Sequence, residues 1–277
     1  MASAPRLEIR DLWFDYEADT PVLRGVSLTI EPGEFVAVIG QNGSGKTTLV
    51  KHFNGLLRPH RGQVLLDHED ILHHSVGALA RRVGYVFQNP DHQIFGATTH
   101  EEIAFGPVNF DLPEDEVEAR TVDALESFRL TEYADVQPAM LGFGLRRKVS
   151  IAAVYAMQTP ILILDEPTTG LDWKSTSELM QLIGELNRQG RTIILITHDM
   201  RVVAEYVPRC MVIRKGEVLI HDSTREVFRQ AELLESTHIQ VPQISQLGRR
   251  MVTLGLQDGI LTVPEFCDAY NDLMSGT

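Results

Sequence analysis

The hydrophobic pattern changes character along the chain. "RLEIRDLWFDY" and "VLRGVSLTI" alternate apolar and polar positions, which predicts two half-exposed antiparallel strands. "EFVAVIG", "VGYVFQ", "PILILDEP" and "TIILITHD" are short, continuously apolar runs, as expected of strands buried on both faces. Stretches of helical period, such as "SGKTTLVKHFNGLL" and "SELMQLIGELNRQG", separate them. An α/β core with a mainly parallel sheet is therefore expected.

Residues from about 90 to 155 break that alternation. "PEDEVEARTVDALESFRL" reads as an amphipathic helix whose acidic start complements the helix dipole. No buried-strand run returns before Ile161, so a mostly helical insertion is predicted there. Beyond a hairpin at "MVIRKGEVLIHD", two further helices are expected in "STREVFRQAELLES" and "TVPEFCDAYNDLM". They open on Ser223 with Glu226 and on Thr262 with Glu265, both at capping-box spacing. Ile244, Leu247, Met251 and Leu254 form one apolar helical stripe, and Phe266, Tyr270 and Leu273 another. Such stripes either cover the chain's own core or face a partner. The expected organisation is one domain over residues 1–220 and a helical extension over 221–277.

Composition narrows the class. In 277 residues, 43% hydrophobic, there is enough apolar material for a sizeable core. A net charge of −13 denies the chain the basic footprint that a nucleic-acid-coating protein needs, so no nucleic-acid partner is expected. Cys210 and Cys267 lack metal-ligand spacing and read as free thiols of a reducing compartment. The N-terminus does not resemble a signal peptide, and no run approaches the roughly 18 apolar residues of a membrane span. A soluble chain is expected, one able to sit on a membrane partner.

The chemistry lies at the ends of the apolar runs. "GQNGSGKT" is Gly40, Gln41, Asn42, Gly43, Ser44, Gly45, Lys46 and Thr47, followed by Thr48. It fits G-x-x-x-x-G-K-[ST] after a buried strand and before a helix, the context that distinguishes a phosphate-binding P-loop from a glycine-rich turn. Its backbone N–H groups would cradle the β-phosphate, Lys46 would reach the β/γ oxygens, and the Thr47 hydroxyl would ligate Mg²⁺. "ILILDEP" delivers Asp165 to the edge of the sheet where α/β folds bind ligands, to hold Mg²⁺ through water. Glu166, the next residue, is a candidate base for the attacking water. His198 and Gln88 each close a buried run, as candidates for sensing the γ-phosphate and for contacting the metal or the water. By itself, each would read as an ordinary polar strand terminus.

The ordered set "GQNGSGKT", "VFQNPDHQIF", "ILILDEPTTGLD" and "LITHD", with a glycine-bearing loop before a helix, resembles the nucleotide-binding subunits of ABC transporters over residues of about 6–220. The resemblance implies a P-loop NTPase (RecA-like) core with an antiparallel β subdomain, a helical insertion and a mostly helical C-terminal extension. It makes Gln88 the Q-loop residue, Asp172 part of the D-loop, and His198 the switch histidine. It makes Tyr16 the aromatic that stacks on adenine, with Phe14 as the lesser candidate. "VFQNPDHQIFGATTHEEIAFGPVNFDLP" and "AELLESTHIQVPQISQLGRRM" look like the corresponding segments of energy-coupling factor (ECF) transporter ATPases. That likeness favours an ATPase–ATPase interface for the C-terminal stripes. It implies ATP and Mg²⁺ as cofactors and import of a vitamin or transition-metal ion from the cytoplasmic side of the cell membrane. The implied partners are a second related ATPase, a transmembrane scaffold and a membrane substrate-binding subunit. A subunit of another ABC transporter is the alternative.

One motif departs from the family. Its L-S-G-G-Q loop, which completes the opposite subunit's site, reads "LGFGL" here. Gly142 stands for the serine, Phe143 for a glycine and Leu145 for the glutamine, while Gly144 is kept. Losing a charge-assisted hydrogen bond costs about 1.5–3 kcal/mol, and the bulk of Phe143 is expected to add to it. The following Arg146, Arg147 and Lys148 are expected to keep some positive potential at the loop. A weakened contact predicts either an asymmetric heterodimer or a subunit that binds ATP with little hydrolysis.

Overall fold

The computed structural model describes residues 4–17 and 20–275. Its strands are β1 (Leu7–Asp15), β2 (Pro21–Ile30), β3 (Phe35–Ile39), β4 (Arg61–Leu66), β5 (Glu69–Asp70), β6 (Val83–Val86), β7 (Ile161–Asp165), β8 (Thr192–Ile196), β9 (Arg209–Arg214) and β10 (Glu217–Ser223). Its helices are α1 (Lys46–Phe53), α2 (Val76–Ala80), α3 (Thr99–Asn109), α4 (Glu114–Ser127), α5 (Phe143–Ala156), α6 (Trp173–Arg188), α7 (Met200–Tyr206), α8 (Thr224–Arg229), α9 (Ala231–Ser236), α10 (Gln243–Met251) and α11 (Val263–Ser275).

Two sheets form. The alternating strands β1 and β2 pair antiparallel in a sheet of order β2-β1-β4-β5. The apolar runs form the other, of order β10-β9-β3-β8-β7-β6, in which only the β9–β10 hairpin is antiparallel. Burial on both faces explains those runs. Val36 and Val38 of β3 pack with Leu7, Ile9, Val64 and the α1 residues Leu49 and Phe53. Phe35, Ala37 and Ile39 pack on the opposite face with Val149, Leu179 and Val203 of α5, α6 and α7. The parallel order brings the C-terminal ends of β3, β6, β7 and β8 to one edge, where an α/β sheet offers its crevice.

Helices α3 to α5 lie between β6 and β7, as the insertion pattern implies. One expectation about the C-terminal helices needs amendment. "STREVFRQAELLES" makes two short helices, because Gln230 (φ −83°, ψ 70°) leaves the helical region between α8 and α9. The stripes of α10 and α11 do not sink into the chain's own core: Leu247 is 44% exposed and Leu254 68%. The Phe266 and Tyr270 rings stack on each other, 6.2 Å between centroids. The Arg225–Glu265 ion pair, 2.9 Å, ties α8 to α11. Among the described residues no helix is long and apolar enough to cross a membrane.

Candidate nucleotide site

The loop after β3 takes its shape from three glycines with positive φ, Gly40, Gly43 and Gly45. Gly40 cannot be replaced without rearrangement, since a Cβ there would lie 2.2 Å from the Ile213 carbonyl oxygen on β9. The same hairpin grips the loop again, through a 2.9 Å hydrogen bond from Gly216 N–H to the Ser44 carbonyl. Gln41, Asn42 and Gly43 stand exposed at the tip, whereas Ser44 and Thr48 are buried. Lys46 Nζ donates to the carbonyls of Gly40 and Gln41 at 2.8 and 2.9 Å, so its ammonium spans the loop mouth. Burial pushes the Lys46 pKa down, opposed by the carboxylates of Glu166 and Asp165.

Asp165, only 2% exposed, ends β7 opposite this loop. Its Oδ2 accepts from Thr47 Oγ1 at 3.1 Å and from the Tyr85 hydroxyl at 2.9 Å. Burial raises the Asp165 pKa, and the two hydroxyls oppose that rise. One carboxylate beside one threonine hydroxyl is the sparse, hard-oxygen donor set that Mg²⁺ uses when phosphates complete its shell. No cluster of three acidic, histidine or cysteine groups occurs among the described residues.

Glu166 follows in a left-handed conformation (φ 51°), its N–H bonded to the Ile196 carbonyl at 2.9 Å. Such a backbone is uncommon for a non-glycine residue and turns the side chain away from the strand direction. Its Oε1 lies 2.8 Å from His198 Nδ1, and a carboxylate can only accept, so the imidazole donates. The Glu166 Oε2 is buried with no partner among the described residues. His198 itself is largely exposed and borders a groove of about 1370 Å³ shared with Trp173, Arg201 and the Gln240–Leu247 segment of the extension.

The two adenine candidates separate clearly. Phe14 is 7% exposed and packs against His52, whereas Tyr16 is 60% exposed with its hydroxyl 3.3 Å from Thr48 Oγ1. The Gln88 side chain is exposed and makes no hydrogen bond among the described residues; only its carbonyl is engaged.

The engaging group is Arg147, whose place in the fold the basic run behind the "LGFGL" loop does not announce. Arg147 is fully buried, donating to the carbonyls of Phe87 (2.8 Å) and Gln88, and Arg146 is committed to Asp91 at 3.3 Å. Burial lowers the Arg147 pKa, with Asp165 and Glu166 opposing. The Phe143 ring sits 5.8 Å from this guanidinium and against Gly170, where a Cβ would lie 2.6 Å from Cε1. The aromatic thus rests on the glycine two residues before Asp172 of its own chain, and Asp172 caps α6 by accepting from Ser175 N–H at 2.7 Å. Gly142, the cap of α5, is exposed, and a Cβ built on it would meet nothing within 4 Å among the described residues. Arg147→Met should remove charge-assisted bonds worth about 1.5–3 kcal/mol, and lower the melting temperature by about 2–4 °C for each kcal/mol lost. Circular dichroism melts should show Arg147→Lys between the two.

A P-loop, an acidic strand end and a histidine-held glutamate on one edge of a mixed sheet define a nucleotide-hydrolysing cassette. The ABC transporter family model matches residues 23–169, and this chain belongs to that family, as an ATP-binding ATPase subunit. It is 40% identical over 271 residues to the energy-coupling factor transporter ATP-binding protein EcfA of Methanothermobacter thermautotrophicus, covering 97% of this chain and 86% of that one. The EcfA of Methanocaldococcus jannaschii is also 40% identical, over 87% of each chain. Among solved structures, CbiO1 of Clostridium perfringens, part of the ABC transporter complex CbiONQ, superposes with a TM-score of 0.74 at 37% identity, covering 87% of this chain and 97% of that one.

Proposed function

We propose that this chain drives an ECF-type importer of a vitamin or a transition-metal ion by hydrolysing ATP, bound peripherally on the cytoplasmic side of the membrane. The similarity to EcfA proteins along nearly the whole chain supports that reading. In it, Tyr16 stacks on adenine, the Gly40–Thr48 backbone holds the phosphates, and Lys46 neutralises the β/γ oxygens. Thr47 and Asp165 hold Mg²⁺ with help from Gln88. When bound, the ion neutralises charge on the phosphate oxygens. Glu166 orients the attacking water and takes its proton as the water oxygen bonds to the γ-phosphorus and the bridging bond to ADP breaks. His198 steadies Glu166 and senses the γ-phosphate. The observation that carries the proposal is the buried Oε2 of Glu166, an acceptor without a partner among the described residues, on the residue that follows the Thr47-bonded Asp165.

The loop of Gly142, Phe143 and Gly144 serves the opposite subunit's nucleotide, with Asp172 of the D-loop beside it. Because Gly142 offers no hydroxyl, the partner is a related ATPase with its own complete loop. The exposed stripes over residues 221–277 supply the contact between the two ATPases, and a scaffold and a substrate-binding membrane subunit complete the complex.

Copurification in mild detergent from native membranes tests the assembly: a second ATPase with a membrane scaffold is the expected yield. Recovery of the chain alone, with vigorous Mg-ATP turnover, would sink it. Tyr16→Ala is expected to weaken ATP binding about 5- to 100-fold, the range of one aromatic–base stack, when titrated with a fluorescent nucleotide.

A further inference from the structure

Tyr85 belongs to no motif, yet it is 8% exposed and ends its side chain on the most buried carboxylate of the site. It lies on β6, next to β7, in a register that pairs Tyr85 with Ile163, two residues before Asp165. Its ring packs edge-on against Phe87, 4.8 Å between centroids, which fixes the phenol's direction. The hydroxyl donates to Asp165 Oδ2 at 2.9 Å, the oxygen that also accepts from Thr47.

The stoichiometry of that oxygen matters. A carboxylate oxygen has two lone-pair directions, and two hydroxyls fill them. Oδ2 is thereby saturated, by Tyr85 from β6 and by Thr47 from α1, and the two bonds restrain rotation of the carboxylate about its own axis. Oδ1 remains as the oxygen engaged by neither hydroxyl.

We propose that Tyr85 is a positioning residue for the metal: its hydroxyl, sharing Asp165 Oδ2 with Thr47, orients the carboxylate so that Oδ1 faces the divalent cation's water shell. This rests on the reading of Asp165 as a metal-holding residue. Groups that orient metal ligands from behind typically set affinity by about 10–100-fold. Tyr85 therefore governs how much Mg²⁺ the site requires, while the nucleotide's base, ribose and P-loop contacts stay as they are.

The test titrates Mg²⁺ into the full-length chain holding a fluorescent ATP analogue, against the same analogue in EDTA. Tyr85→Phe, which removes one oxygen, is expected to leave the EDTA affinity within twofold and to raise the half-saturating Mg²⁺ about tenfold. Asp165→Asn should raise it as well, and Tyr85→Phe should add nothing in the Asp165→Asn background, a coupling that a merely structural tyrosine would not show. Should Tyr85→Phe melt early, Tyr85→Met fills the same slot without a donor and is read identically. An unchanged Mg²⁺ requirement in Tyr85→Phe, with Asp165→Asn shifted, overturns the role of Tyr85 alone. An unshifted Asp165→Asn overturns the assignment of Asp165 and this proposal with it.

Discussion

Glu166→Gln should lower ATP turnover by about 10²–10⁴-fold and leave nucleotide affinity nearly unchanged, the range for loss of a positioned general base. The amide fills the same space and can still accept from His198 Nδ1 through its carbonyl, so the His198 contact at 2.8 Å survives in the variant. What disappears is the proton acceptor at Oε2, the buried atom with no partner among the described residues. Phosphate release and fluorescent-ATP binding, measured together with the partner ATPase present, separate the two effects. A fall in affinity equal to the fall in turnover would mean that Glu166 holds the nucleotide and performs no proton transfer. Turnover that stays within threefold of wild type would rule out its catalytic role.

Gly142→Ser combined with Leu145→Gln should raise the ATPase rate of the chain purified alone by about 10–100-fold. That is the kinetic equivalent of regaining a charge-assisted hydrogen bond of about 1.5–3 kcal/mol. The geometry permits the change. Nothing lies within 4 Å of a Cβ at Gly142, and its φ of −63° and ψ of 156° are those of a serine N-cap. Phe143 is deliberately retained, because its ring is seated on Gly170 and stands over Arg147. No gain in the double variant would show that some other feature limits the self-associated chain, and that the missing hydroxyl does not. A wild-type chain already turning over rapidly without a second ATPase would remove the case for an asymmetric pair.

Much of this architecture is written in local pattern. The parallel strands are legible because burial on both faces demands unbroken apolar runs, and Phe35–Ile39 and Ile161–Asp165 comply at every position before the acid. The phosphate loop is legible because positive φ at Gly40, Gly43 and Gly45 leaves little choice of residue. Arg147 was not legible. A charged letter in a basic triplet reads as surface, and its burial follows from where the carbonyls of Phe87 and Gln88 arrive, some 60 residues earlier in the chain. Tyr85 was hidden for a related reason: an aromatic in an apolar strand reads as core, and its hydroxyl's target sits 80 residues away. The seat of Phe143 on Gly170 is likewise a tertiary fact. A Cβ at Gly170 would lie 2.6 Å from the ring's Cε1, a contact made across 27 residues that no local pattern announces.

The grip of the β9–β10 hairpin on the phosphate loop has a temporal side. Gly40 abuts the Ile213 carbonyl, and Ser44 is bonded to Gly216, so the loop's shape depends on residues made about 170 positions later. Contacts so distant along the chain close late during folding. A nascent chain emerging from the ribosome therefore displays its glycine-rich segment without the surroundings that set it. ATP becomes available as a folding ligand only after the hairpin has been synthesised. A polypeptide interrupted before Gly216 would carry every letter of the phosphate-binding sequence and lack the wall against which that sequence is moulded.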